Sequence, residues 1–251
     1  MEALKEKQEE KYNKRWVPYQ WPWTDKYGNN ITSIKEWLIS RKFTVSYLVI
    51  AWTILAIFGY AARRNCDGPW EIQFMCEMTM WMEQFRTDFW HFLMTCFTTA
   101  WFHNDPQHIW FVTLFGFLFP VQSFEEQHGT WNTIKLYFAS YLFIGLYTGS
   151  LFNFLQLYWP DTHFVSNGFN RTWMGGSVGI FAIIGSLSYF SSKKWFLWAM
   201  VTVFEVFNMT VIGNNVHISF IHISCASFGW VYSWVWDTYF LQKKKLATQT
   251  A

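Results

Sequence analysis

Charge is scarce in this chain: Asp, Glu, Lys and Arg make up 14% of its 251 residues, and the formal net charge is +2. A balance so close to neutral gives no reason to expect nucleic acid as a partner. Cysteine is sparse too, with four residues. Cys66 and Cys76 could pair if their compartment is oxidising, whereas Cys96 and Cys225 sit in apolar surroundings, so cysteine usage assigns no redox compartment. No short basic start followed by an apolar core is present, so no cleavable signal peptide is expected. The seven histidines contain no H-x-x-x-H or H-x-x-H-H spacing. The pairs His103/His108 and His217/His222 are each five apart, which turns the two rings to different faces of a helix.

What is abundant is apolar and aromatic. Hydrophobic residues make up 52% and aromatic ones 23%, and 18 Trp and 27 Phe exceed what a soluble core needs. The mean hydropathy of +0.05 looks modest because Trp and Tyr score poorly and the N-terminal segment is polar. The expected class is an all-α polytopic membrane protein with one membrane domain.

With roughly 20 residues needed to cross a bilayer, the apolar stretches sort into six spans, near 43–62, 106–120, 131–158, 174–190, 195–212 and 217–241. Span two is short and ends at Pro120. Flanking them are a basic segment 1–42, whose run Met1–Arg15 reads as a solvated helix or disordered arm, and a basic tail 242–251. With a cytosolic N terminus, 15 of the 19 Lys and Arg fall on the cytosolic side. Only Arg63, Arg64, Arg86 and Arg171 remain outside, as the positive-inside rule requires. Both termini are therefore expected in the cytosol. Between spans one and two, residues 63–102 mix Trp70, Trp81, Phe85, Phe89 and Trp90 with acidic residues at helical spacing. Such a pattern predicts amphipathic helices in the outer interface.

Polar chemistry inside a bilayer is costly, so a Ser and a His at matching depth are a functional hypothesis by default. Ser177 opens span four and His222 lies near the outer end of span six. Serine needs an adjacent base to become a nucleophile, and histidine is the usual one. Gly175 and Gly179 form a G-x-x-x-G pattern around Ser177, and His222, Cys225, Ala226 and Gly229 share one helix face. Two such faces packed together would bring Ser177 to His222. The same small residues also suit plain helix packing. A second cluster, His103-Asn104-Asp105-Pro106-Gln107-His108, stands at the outer start of span two. Pro106 suits a first helical turn, and Asn104 or Asp105 the cap before it. His108 enters at the depth of Ser177 and could donate to an oxyanion. His103 is either a capping-loop residue or a supporting one.

Glu205, mid-span among apolar neighbours, is expensive unless neutral or hydrogen-bonded. It faces either a polar cavity or a Thr, Tyr or Trp partner. His217 is expected to point away from His222. Asn30, Asn170 and Asn208 begin glycosylation sequons; Asn30 is expected in the cytosol and Asn208 within a span, so only Asn170 is expected exposed on the outer side.

The stretch Phe102–Phe111 resembles the start of the second core helix of rhomboid intramembrane proteases. Gly175-Gly176-Ser177-Val178-Gly179-Ile180-Phe181-Ala182 is similar to their serine helix, and His222–Gly229 to their histidine helix. Motif order, six spans and the long loop after span one agree, so the resemblance covers about 43–241. It implies a six-helix rhomboid-like bundle, with Ser177 as nucleophile and His222 as base and then acid. It also implies His108 and the Ser177 N–H as oxyanion donors, no acidic third member, and no metal or organic cofactor. The implied substrates are transmembrane segments of other membrane proteins. Four positions depart from the family pattern. Val112 stands where Asn is usual, Val178 where Gly follows the serine, Met94-Thr95 where a Trp-Arg pair is common, and Cys225 where Gly is usual. Three readings follow. The leading one is an intramembrane serine endopeptidase. Its rival is an inactive rhomboid-like protein that binds transmembrane helices or serves a membrane complex. The third is a membrane metalloenzyme using clustered His.

Overall fold

The computed structural model describes residues 20–60, 66–213 and 215–241. The run Met1–Arg15, the pair Arg63-Arg64 and the tail 242–251 lie outside the described residues. All six apolar stretches are helical. The first is α2 (Lys42–Phe58), preceded by the short α1 (Ile34–Ser40) at an angle of 92°. The loop that follows holds α3 (Trp70–Met78), the strand β1 (Met80–Trp81), α4 (Gln84–Thr87) and α5 (Phe89–Thr98). Next comes α6 (Pro106–Trp110), continuing as a wide π-helical run Phe111–Val121 into α7 (Gln122–His128). The long α8 (Thr130–Tyr158), α9 (His163–Phe169) and strand β2 (Thr172–Trp173) lead to α10 (Ser177–Phe190). The last two are α11 (Phe196–Phe207), extended by Asn208–Ile212, and α12 (Val216–Trp236), extended by Asp237–Leu241.

By length and composition, Thr130–Tyr158 and Val216–Tyr239 suffice to cross a membrane, and the bent pair α1 and α2 adds a third if counted as one span. With the shorter apolar helices Ser177–Phe190 and Phe196–Ile212 beside them, the chain is an all-α polytopic membrane protein.

The second stretch differs from expectation. It does not stop at Pro120 but runs through it to His128. In an α-helix the pyrrolidine ring would strike the carbonyl four residues back and leave a hydrogen bond unmade. The wider winding of 111–121 moves that carbonyl aside and re-routes the bonds.

Lipid tails are as apolar as leucine, so helices here associate through close fit rather than water exclusion. Helix α10 is the centre of the bundle. Eleven of its fourteen residues are buried, and it packs more extensively on α12 than on any other element. The two backbones meet where side chains are smallest. A Cβ added to Gly185 would strike the Ala226 backbone, and one added to Gly229 the Ala182 backbone. Gly179, by contrast, lies flush against the Tyr137 ring of α8. The small-residue face of α12 is therefore as expected, but its partner on α10 is Ala182 and Gly185 instead of Gly175 and Gly179. The hydroxyls of Ser186 and Ser233 join the same two helices further along.

At the opposite end, the chain before α2 is tied to α7. The Glu125 carboxylate accepts from the backbone N–H groups of Phe43 and Thr44 at 2.8 and 2.9 Å, a carboxylate on the positive end of α2. Arg41 is fully buried. It donates to Gln122 at 2.8 Å and pairs with Glu126 at 3.1 Å. The Gln20 N–H reaches Ser123 Oγ at 2.9 Å. These bonds make residues 20–41 an ordered strap across the bundle end.

Candidate functional site

The serine is presented by a short, clamped turn. Strand β2 pairs antiparallel with β1, Met80 opposite Trp173 and Trp81 opposite Thr172. Thr99 holds the next residues from the other side. Its hydroxyl donates to the Trp173 carbonyl, and its carbonyl accepts from the Gly175 N–H at 3.0 Å. From α8 the Tyr141 hydroxyl donates to the Gly175 carbonyl at 2.5 Å and the Tyr137 hydroxyl to the Gly176 carbonyl at 3.4 Å. Gly175 has a φ of +105°, and the His108 ring fills the space a Cβ there would take. Only glycine meets both conditions without strain. The turn delivers Ser177 as the first residue of α10, where its backbone N–H is one of the first-turn donors that a helix leaves unused.

His222 lies on α12 opposite. Its Nε2 is 3.3 Å from Ser177 Oγ, slightly long for a hydrogen bond but within the looser range of unliganded nucleophile–base pairs. The ring is held from two directions. Phe181, one turn below Ser177, stacks on it with centroids 4.0 Å apart and planes at 19°. Glu205 of α11 places Oε1 2.8 Å from His222 Nδ1. The second carboxylate oxygen, Oε2, and the nearby Ser219 hydroxyl have no hydrogen-bond partner among the described residues. Glu205 thus faces neither Thr, Tyr nor Trp; its partner is the histidine itself. Its mid-span position made it conspicuous in the sequence, but nothing there says which faces of α11 and α12 meet.

Asp105 caps α6, its carboxylate accepting from the His108 N–H at 2.8 Å, with Pro106 as first helical residue. His108 lines the same cavity as Ser177 and His222. His103 is buried behind it, rings 5.1 Å apart and edge-to-face, and neither of its ring nitrogens has a partner among the described residues. Burial, helped by the neighbouring His108, pushes the His103 imidazole down to about 3, so it is neutral at physiological pH. Val112, one turn beyond His108, is fully buried against Gly176. It faces the serine turn and supplies no donor. Met94 is exposed and Thr95 buried on α5.

These groups border a cavity of about 430 Å³ that also takes in Asn104, Gln107, Arg171, Phe204, Glu205 and Asn208. His217 is turned away from His222, accepting from Arg171 at 2.5 Å and standing edge-on to Trp173. Of the sequon asparagines, Asn30 and Asn170 are exposed and Asn208 is buried in the cavity wall. Cys66 and Cys76 are joined in a disulfide, while Cys96 and Cys225 are free and buried. Among the described residues no three His, Cys, Asp or Glu side chains converge on a point that could hold a metal ion.

Neither the curated proteins nor the solved structures compared with the chain gave a match. The rhomboid domain family model does match, over residues 87–237, more than half of the chain and a range that includes His108, Ser177, Glu205 and His222. The chain belongs to the rhomboid family.

Proposed function

We propose that this protein is an intramembrane serine endopeptidase that cleaves transmembrane segments of other membrane proteins. The observation that carries the reading is the approach of His222 Nε2 to Ser177 Oγ, at 3.3 Å in a cavity at the start of a buried helix. Ser177 Oγ attacks the scissile carbonyl carbon while its proton passes to His222 Nε2, and the carbonyl π electrons move onto oxygen. His108 and the Ser177 N–H are the donors offered to that oxyanion. Collapse of the intermediate breaks the C–N bond, and the departing amine takes the proton from Nε2. Water then repeats the sequence on the acyl-enzyme, with His222 as base again. No metal or organic cofactor enters any step.

The proposed setting is a six-span domain, 43–241, between a basic cytosolic segment 1–42 and a cytosolic tail 242–251. Helix α10 has 14 residues and is about 21 Å long, against about 30 Å of hydrocarbon. With the inner end of α10 level with the inner interface, Ser177 at its first residue sits below the outer surface, and the cavity is its proposed route to water.

Val112 favours one rival. With valine where an oxyanion donor is usual, the same bundle could grip transmembrane helices without cutting them, since losing one such donor costs about 10²–10³ in rate.

Fluorophosphonate labelling of the purified protein separates the two. The expected result is labelling of the wild type that disappears in Ser177→Ala and in His222→Ala. A well-folded wild type that takes no label would rule out the protease and leave the helix-binding reading.

A further inference from the structure

We propose that Glu205 is a positioning residue that completes a Ser177–His222–Glu205 relay, so that this rhomboid works with three groups where the family resemblance implies two. The inference rests on the proteolytic reading and goes one residue beyond it.

The argument begins with the imidazole. It can take the Ser177 proton on Nε2 only if its own proton is on Nδ1, and the two tautomers of a free ring are both accessible. A carboxylate oxygen accepts and does not donate. With Glu205 Oε1 2.8 Å from Nδ1, the proton belongs on Nδ1, and Nε2, 3.3 Å from Ser177 Oγ, is left as the acceptor. The carboxylate also stabilises the imidazolium that exists while the tetrahedral intermediate forms. That help matters most where water is excluded, because an uncompensated charge in a low-dielectric interior is expensive. No proton is transferred to Glu205: Nδ1–H stays on the ring throughout, as in other Ser–His–carboxylate arrangements.

Three further observations fit this assignment. Glu205 is 1% exposed, so it is not a solvated carboxylate that happens to lie near a histidine. It borders the cavity that holds Ser177 and His222. It also lies on the face of α11 that meets α12, where its Oε1 is taken by the His222 ring while Oε2 has no hydrogen-bond partner among the described residues. An intramembrane carboxylate facing the bundle interior with a named partner is a functional group by default. Phe181, stacked on the other side of the ring, leaves the Nδ1 hydrogen bond to set its rotation.

Glu205→Gln tests the idea. It keeps the shape but can present its amide N–H₂ to Nδ1, which drives the ring proton to Nε2 and spoils the base. The rate of fluorophosphonate labelling at Ser177 should fall by roughly 10²–10⁴, with the melting temperature close to that of the wild type. In parallel, a far-downfield Nδ1–H proton resonance of ¹⁵N-His-labelled protein should be present in the wild type and in Ser177→Ala, and absent in His222→Ala and Glu205→Gln. A labelled wild type whose Glu205→Gln variant labels at about the same rate overturns the proposal and leaves the Ser–His dyad standing. A wild type that takes no label overturns the proteolytic reading and the relay with it. Should Glu205→Gln not fold, absence of the resonance from the wild type is sufficient to overturn the proposal.

Discussion

Val112 is the residue on which the proposed activity turns. Its side chain is fully buried against Gly176, one helical turn from His108, so an amide placed there would point at the serine turn. Val112→Asn is expected to raise the fluorophosphonate labelling rate by up to about 10²-fold, the size of the effect of one oxyanion donor. It should lower thermal stability at the same time, because a buried amide unpaired in the resting site costs about 1–3 kcal/mol. A folded variant with an unchanged rate would mean that His108 and the Ser177 N–H already serve the oxyanion. Val112 could be read from its spacing after His108, since one turn of helix fixes which residues share a face. Glu205 could not. A mid-span carboxylate is visible in any sequence, but its partner depends on how α11 is rotated against α12.

At the scale of elements, the pairing of α10 with α12 brings serine and histidine together. The small residues of both helices were legible, but a G-x-x-x-G pattern does not say which neighbour fills it. Gly179 and Gly185 are six residues apart, about 120° round the helix. The first faces Tyr137 of α8 and the second the Ala226 backbone of α12. Gly229→Ala puts a methyl group against the Ala182 backbone, and overpacking of this kind costs about 1–3 kcal/mol. A lower melting temperature in detergent is expected, together with slower labelling of Ser177 as the helices separate. The same substitution at Gly213, where a Cβ would meet nothing within 4 Å but φ is +75°, strains only the local backbone and should leave labelling largely intact. Equal effects at the two positions would argue against a tight α10–α12 contact. The passage of the second stretch through Pro120 also belongs to this scale. Proline read alone says stop, and only the surrounding helices allow the wide winding that carries the chain on to His128.

For the whole molecule, sidedness joins charge, redox state and the site. The disulfide Cys66–Cys76 closes the loop that carries α3, whose Trp70 is exposed, and that loop leads into β1, which pairs with β2, the strand just before the serine turn. The disulfide and the cavity are thus expected on the same, non-cytosolic face. In sealed membrane vesicles with the non-cytosolic face outward, a membrane-impermeant maleimide should label Cys66 and Cys76 only after reduction, and tags on both termini should resist added protease until the membrane is opened. Labelling of the two cysteines without a reductant would contradict the disulfide. Digestion of either tag in those sealed vesicles would contradict six crossings with both ends inside.

The membrane class, the helical character of the six apolar stretches, a cap just before Pro106 and the likeness to rhomboids were set by the sequence alone. Each depends on local composition, on spacing along one helix, or on a short motif. Tertiary structure decided what depends on the relative rotation of helices far apart in the chain. It assigned Gly185 rather than Gly179 to α12, buried Arg41 in an ion pair at the bundle end, and set the Glu205 carboxylate on His222. Residues 205 and 222 belong to different helices, and periodicity within either one carries no information about the angle at which the other meets it.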